Sequence, residues 1–404
     1  MTPAAPPATG WLPRAWLPKS SPMPAAFSAQ LDLIRWLAAL LVCITHVRSI
    51  MIADYTPASG LAGRIFYFVH GFGHSSVITF FILSGYLVGG EVLQSLQQGN
   101  FNGRAYFAKR FTRLYAVYAP GLMLGFLWDW LGARFFNSQG VYTHGMDAVM
   151  VPFDISTRLT TEIFTGNLVF LQTLVVPALG SNSPLWSLAN EAWYYLLFPL
   201  IAAACFAPIS RGSRLGCIAF FLACAWFVQG QILLYFGVWL LGLVPHFLPR
   251  PILKKGWPSL IALGFLMGMV RCHQLDFLPM PVPDYLLGVL VMIYLNTLSH
   301  QKSDTPRFAP VHHRLARFSY SLYICHWPFA LFLAAVSQHY LGRGMQMPFG
   351  LYSISYYLAV LGITYAFAWF VSCHTEQHTP TMRRRLSAWL GVKTREEIPQ
   401  RILP

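Results

Sequence analysis

The chain is short of charge. Asp, Glu, Lys and Arg make up only 10% of its 404 residues, against roughly 25% in an ordinary soluble domain. So few charges cannot cover a globule of this size, which argues against a soluble enzyme. The 55% of hydrophobic residues argues equally against a disordered or fibrous chain. Acids are scarcest, 14 against 28 Lys and Arg. The seven cysteines lie scattered, mostly in apolar runs, with no Cys-x-x-Cys pair, and read as small apolar filler. The stretch Cys373-His374-Thr375-Glu376-Gln377-His378 holds ligand-type residues, but nothing elsewhere completes a tetrahedral set, so no metal site is expected. The first 27 residues, rich in Pro and Ala, lack the apolar core of a secretory signal peptide.

What the chain has in abundance is apolar runs. Stretches of membrane-spanning length fall at about 31–50, 72–90, 114–133, 165–180, 185–207, 216–229, 231–248, 258–272, 282–299, 318–337 and 351–372. The 165–180 stretch is short and ends at Pro177, so it is expected to be re-entrant or to lie at the interface. The expected fold is therefore all-α: a polytopic membrane protein of about ten transmembrane helices plus one short re-entrant or interfacial segment. Residues 28–375 form the membrane domain, between a disordered cytoplasmic tail at 1–27 and a basic cytoplasmic tail at 376–404. Ten crossings leave both termini on one side, and the basic residues say which. With the termini inside, all but seven of the 28 Lys and Arg fall in cytoplasmic segments, as the positive-inside rule asks. Arg48, Arg64, Arg134, Arg158, Arg271 and Arg343 fall outside, and Arg35 lies in the first run. The net charge of +14 is thus a matter of topology in a lipid bilayer, and no nucleic-acid partner is expected.

Ionisable groups within a span are candidates for function by default. Arg35 and His46 are eleven residues apart in the first run. At about 100° and 1.5 Å per residue they share a helix face, with ~16 Å between them along the axis. That puts Arg35 at the cytoplasmic boundary and His46 near the midplane, where an imidazole suits a general base or proton relay, or simply a hydrogen bond to a neighbouring helix. Asp32, one turn before Arg35, is placed to hold its guanidinium. Arg110 and Arg113 share a face if a helix has begun there. They suit phosphate recognition through charge-assisted bonds, or ordinary anchoring on the positive side. Glu191 lies near the outer face with Trp186, Trp193, Tyr194 and Tyr195 around it. Aromatics beside a carboxylate suit carbohydrate binding and equally an interfacial belt. His326, followed by Pro328, reads as structural. Ser84 lacks the flanking glycines of a nucleophile elbow.

Five segments together resemble the acyltransferase-3 family of integral membrane acyltransferases. They are the Arg35–His46 pair, Phe80-Phe81-Ile82-Leu83-Ser84-Gly85-Tyr86, Arg110-Phe111-Thr112-Arg113, Ser183-Pro184-Leu185-Trp186-Ser187-Leu188-Ala189-Asn190-Glu191 and Ser319-Tyr320-Ser321-Leu322-Tyr323-Ile324-Cys325-His326-Trp327-Pro328. At the start of helix 1, where Asp-Gly-Leu-Arg-Gly is typical, this chain has Asp32-Leu33-Ile34-Arg35-Trp36: the charged positions stand and both glycines are bulky. The resemblance implies a ten-helix core in a bacterial cytoplasmic membrane. It would move an acyl group, most often acetyl from acetyl-CoA, to a hydroxyl of a glycan or similar acceptor, with acyl-CoA as donor substrate and no permanently bound cofactor. It carries the family's Arg and His motifs onto Arg35 and His46 as the catalytic pair, and onto Arg110 and Arg113 for the CoA phosphates. Glu191, Trp186 and Tyr194 remain as the acceptor-binding set. A proton-coupled transporter or flippase is the competing class, although the chain has no internal repeat and no matched pair of Gly/Pro-broken helices.

Overall fold

Apolarity sets where the helices run, and two prolines inside them help decide how they join. The computed structural model describes residues 10–18, 23–146, 150–271, 274–301 and 304–392. Among these the only strand-like pairings are three isolated bridges. The first long helix is α1 (Ala25–Met51), followed by α2 (Gly60–Val69) and α3 (Gly73–Ser84). A π-helical turn over Gly85–Gly89 carries α3 into α4 (Gly90–Gln97), and α5 (Gly103–Phe135) comes next. The middle of the chain forms α6 (Thr161–Leu168), α7 (Trp186–Phe206), α8 (Arg211–Val228), α9 (Gln231–Leu241), α10 (Val244–Phe247), α11 (Trp257–Arg271) and α12 (Val282–Ser299). The chain closes with α13 (Ala309–Ala316), α14 (Ser319–Leu341), α15 (Leu351–His374) and α16 (Thr379–Trp389).

Seven stretches of the described residues are long and apolar enough to cross a membrane: Ala25–Met51, Pro57–Gln97, Ser183–Phe206, Arg211–Val228, Val282–Ser299, Ser319–Leu341 and Leu351–Trp389. Gln231–Phe247 and Trp257–Arg271 are apolar but shorter, and α5 stands outside the seven. The stretch 165–180 contains only the second half of α6. After it the chain runs through turns held by a Gln172–Val176 bridge.

The bundle is organised around α14, which packs against α1, α5 and α15 and is buried along most of its length. Pro328 sits inside it. Because proline has no N–H, the carbonyl four residues back loses its helical donor. Here that is the Ile324 carbonyl, and Asn182, from the loop before α7, donates its Nδ2 to it at 3.0 Å. Pro199 does the same within α7: it frees the Tyr195 carbonyl, which takes the Tyr106 hydroxyl of α5 at 2.9 Å. Each proline thus converts a helical hydrogen bond into a tie between helices, an arrangement suited to a medium without water.

Asp129 is a further tie. On sequence position it belongs in or near an outer loop, yet it lies within α5, fully buried. Its carboxylate accepts from the Ser181 amide at 2.7 Å and the Ser181 hydroxyl at 2.9 Å. Both segments expected as tails also carry structure at their inner ends. Leu12 donates its amide to the Cys205 carbonyl at 3.0 Å, and α1 begins at Ala25. At the other end, Glu376 is buried and α16 packs on α5. The first turns of the segment expected as a C-terminal tail are therefore packed on the bundle, because a buried acid needs a cationic partner and Glu376 finds Arg113 on α5.

Candidate functional site

A cavity of about 510 Å³ opens at one end of the bundle, between α1, α3, α5, α7, α14 and the turn into α16. Its mouth is cationic. Arg35, Lys109, Arg110, Arg113, Arg317 and Arg383 line it, against the carboxylates of Asp32, Glu191 and Glu376. Its inner wall is apolar, built from Val77, Phe80, Phe81, Leu83, Leu87 and Leu188.

The mouth is assembled by local rules. Asn102 caps α5 by accepting from the Ala105 amide at 3.1 Å. The helix has therefore begun well before Arg110, and Arg110 and Arg113 do share a face. Arg110 pairs with Glu91, which also takes Lys109 Nζ at 2.7 Å. Arg113 pairs with Glu376 at 2.8 Å, and the second oxygen of Glu376 accepts from the Ser321 amide and hydroxyl. Aromatic faces steady both guanidiniums: Arg113 lies 4.8 Å from the Tyr320 ring centre, and Arg110 lies 5.6 Å from Tyr106 and 5.7 Å from Tyr195. Arg35 bonds Asp32 at 2.9 Å, one turn away, and Asp32 reaches His313 of α13 at 3.2 Å.

Glu191 opens into this same cavity. A chain of donors runs to it: Trp239 Nε1 donates to Ser84 Oγ at 3.0 Å, Ser84 lies 3.3 Å from the Tyr195 hydroxyl, and Tyr195 donates to Glu191. The Ser84 hydroxyl is thereby engaged in the chain. Gly85, at the π-helical turn, allows the close approach behind it, since a Cβ there would meet the Trp239 carbonyl. Trp186 and Tyr194 take other directions. Trp186 packs against His74, Phe81 and Tyr235, and fully buried Tyr194 donates to the Ile232 carbonyl at 2.9 Å. Neither lines the cavity. The helical period accounts for part of the split: Ser187, Leu188 and Tyr195 lie three or four residues from Glu191 and share its face, and Trp186, five away, is turned from it. Tyr194 is three residues from Glu191, and its hydroxyl is drawn instead to the Ile232 carbonyl of α9.

His46 lies past the inner end. Tyr323 lines the cavity and places its hydroxyl 2.5 Å from Ser187 Oγ and 3.0 Å from the Pro184 carbonyl. One turn further along α14 is buried His326, whose Nε2 is 2.8 Å from His46 Nδ1. The two rings are nearly coplanar in orientation, with an interplanar angle of 5° and centroids 5.1 Å apart, and Trp327 meets His46 edge-on. Phe80 also lines the cavity and meets the Tyr323 ring edge-on, with 6.0 Å between centroids. His46 is half-buried and does not line the cavity. Sequence reasoning missed Glu91, the pairing of Glu376 with Arg113 and the His46–His326 contact, and it named Tyr195 only among the aromatics around Glu191. Only Tyr195 carried a signal, its four-residue spacing from Glu191.

Membrane-length apolar helices around a cationic cavity, with an imidazole pair beyond its apolar end, define an integral membrane protein with an internal polar site. Residues 28–373 match the acyltransferase domain that defines the acyltransferase-3 family, and the chain belongs to that family. It is also similar to an uncharacterized protein of Haemophilus influenzae, 25% identical over 124 residues. That match covers 30% of this chain and 46% of the relative, so the chain spans about half the length of the curated protein it matches. No solved structure matches it.

Proposed function

We propose that the protein is a membrane O-acyltransferase, taking an acyl group, acetyl in the first instance, from cytoplasmic acyl-CoA to a hydroxyl of a glycan or similar acceptor. The observation that carries this reading is one cavity with arginines at its mouth, an apolar inner wall and a histidine pair beyond it. The phosphates of CoA suit Arg110 and Arg113, whose guanidiniums would exchange part of their bonding to Glu91 and Glu376 for phosphate oxygens. The pantetheine arm is thin and largely uncharged, which suits a wall of Val77, Phe80, Phe81 and Leu188. His46 is half-buried and does not line the donor cavity, so in this reading the acceptor reaches it by a separate route.

In the transfer step, a neutral His46 takes the proton from the acceptor hydroxyl as the oxygen attacks the thioester carbonyl. The C–S bond breaks, the ester forms, and the departing sulfur receives the proton back from His46. General-base assistance of this kind is typically worth about 10²–10⁴-fold. Arg35, ~16 Å from His46 along α1, acts at the mouth with the CoA moiety. Of Glu191, Trp186 and Tyr194, Glu191 lines the cavity, so in this reading it stands on the donor side of the site.

Purified protein incubated with labelled acetyl-CoA should release CoA thiol only when a hydroxyl acceptor is present, with the label in ester linkage. His46→Ala should abolish this release while membrane insertion is unchanged. Near-normal turnover by that variant would remove His46 from the mechanism. Acceptor-driven uptake of the glycan into vesicles without thiol release would favour a transporter instead.

A further inference from the structure

We infer that His326 is a positioning residue that fixes which nitrogen of His46 carries its proton. The inference rests on the reading of His46 as base and adds to it a residue outside the assigned site. It starts from His326 Nδ1, which lies 3.0 Å from the Leu322 carbonyl and 2.9 Å from the Tyr323 carbonyl, the preceding turn of its own helix. Carbonyl oxygens only accept, so Nδ1 is the nitrogen that bears hydrogen. In the neutral ring, Nε2 then carries the lone pair. That lone pair faces His46 Nδ1 at 2.8 Å, and the near-parallel ring planes point the two nitrogens along one line. His46 must therefore donate from Nδ1, which leaves its own Nε2 as the free lone pair. A base needs an unprotonated nitrogen aimed at the hydroxyl, and the other tautomer would present an N–H there instead. The backbone of α14 thus sets the tautomer of a side chain on α1 through a single intervening ring.

Burial makes the device rigid. His326 is 1% exposed and Trp327, 2% exposed, packs edge-on against His46. The ring of His46 is held on two sides, by its Nδ1 bond to His326 and by the edge-on Trp327 ring. His326 does not itself line the donor cavity and, by this geometry, does not meet the reacting atoms, so its effect is expected in turnover and not in binding of acyl-CoA.

Two variants separate this role from packing. His326→Gln places an amide oxygen near the position of Nε2, where it accepts from His46 Nδ1, while His326→Leu has similar bulk and no acceptor. The Gln variant should keep kcat within about tenfold of wild type. The Leu variant should lose on the order of 10² in kcat with the KM for acetyl-CoA little changed. Equal kcat losses in both variants, or wild-type kcat in the Leu variant, would overturn the inference. A measurement on the unmodified protein does not depend on variant folding: ¹⁵N spectra of histidine-labelled protein should give His46 a protonated Nδ1 and an unprotonated Nε2. The reverse assignment would sink the proposal. If His46→Ala were active, the base reading itself would fail while the ¹⁵N assignment could still hold. If His46→Ala were inactive and His326→Leu fully active, only the present inference would fall.

Discussion

Arg110 and Arg113 differ in what their removal leaves behind, although both were expected on one face and both line the cavity. Arg110 shares Glu91 with Lys109, so truncating it leaves that carboxylate a cationic partner. Arg113 is the ion-pair partner of Glu376, whose side chain is only 6% exposed. Removing one member of such a pair strands a buried charge. Arg110→Ala should therefore raise the KM for acetyl-CoA roughly 10–100-fold, the loss of one charge-assisted contact of about 1.5–3 kcal/mol, with the melting temperature nearly unchanged. Arg113→Ala should raise KM similarly and also lower the melting temperature. Initial-rate kinetics beside thermal unfolding in detergent check both. Equal thermal behaviour of the two variants would count against the structural role of the Arg113–Glu376 pair. The spacing of the two arginines was readable from the chain; their partners were not, because Glu91 lies on the preceding helix, 19 residues from Arg110, and Glu376 lies 263 residues from Arg113.

Among the elements, α7 and α14 each hold a proline inside the helix. Hydropathy placed both, and it could say that Pro199 and Pro328 sit inside them. It could not say who would take the freed carbonyls. Tyr106 and Asn182 do so, and Asn182 thereby joins the entry to α7, with Ser187 and Glu191 on it, to α14, with Tyr323 and His326. Asn182→Ala should destabilise the protein by about 1–3 kcal/mol, the usual effect of leaving a buried carbonyl without its donor. In a Pro328→Ala background the N–H of residue 328 becomes available to Ile324, so the same Asn182→Ala change should be milder. A double-mutant cycle on melting measures that coupling; strictly additive effects would mean the carbonyl is not shared in this way.

For the molecule as a whole, the open question of topology is set by charge. Arg110, Arg113, Arg317 and Arg383, all expected on the cytoplasmic side, meet around one cavity mouth. Arg48 and Arg271 lie at the far end, where Arg48 pairs with Asp54 and Arg271 reaches the Tyr67 carbonyl. We propose ten crossings, in which α5, the α9–α10 pair and α11 join the seven longer apolar stretches. In a cysteine-free background, Thr56→Cys should react with an impermeant thiol reagent added outside intact cells, and Asn100→Cys only after the membrane is opened. The opposite pattern would invert the protein and move the arginine mouth away from cytoplasmic CoA.

The sequence by itself determined the helical class, the membrane setting, the rows of side chains that share a helix face, and the grouping of cations at one end. Each of these depends on residues close in the chain, where hydropathy and a 3.6-residue period are enough. It could not decide that Glu191 faces the arginines while Trp186 and Tyr194 turn away, since that depends on which side of α7 the neighbouring helices cover. Nor could it reveal the His46–His326 pair, whose members are 280 residues apart. Only tertiary packing decided that contact, because a hydrogen bond between two helices needs both rotations and both depths in the bundle fixed at once.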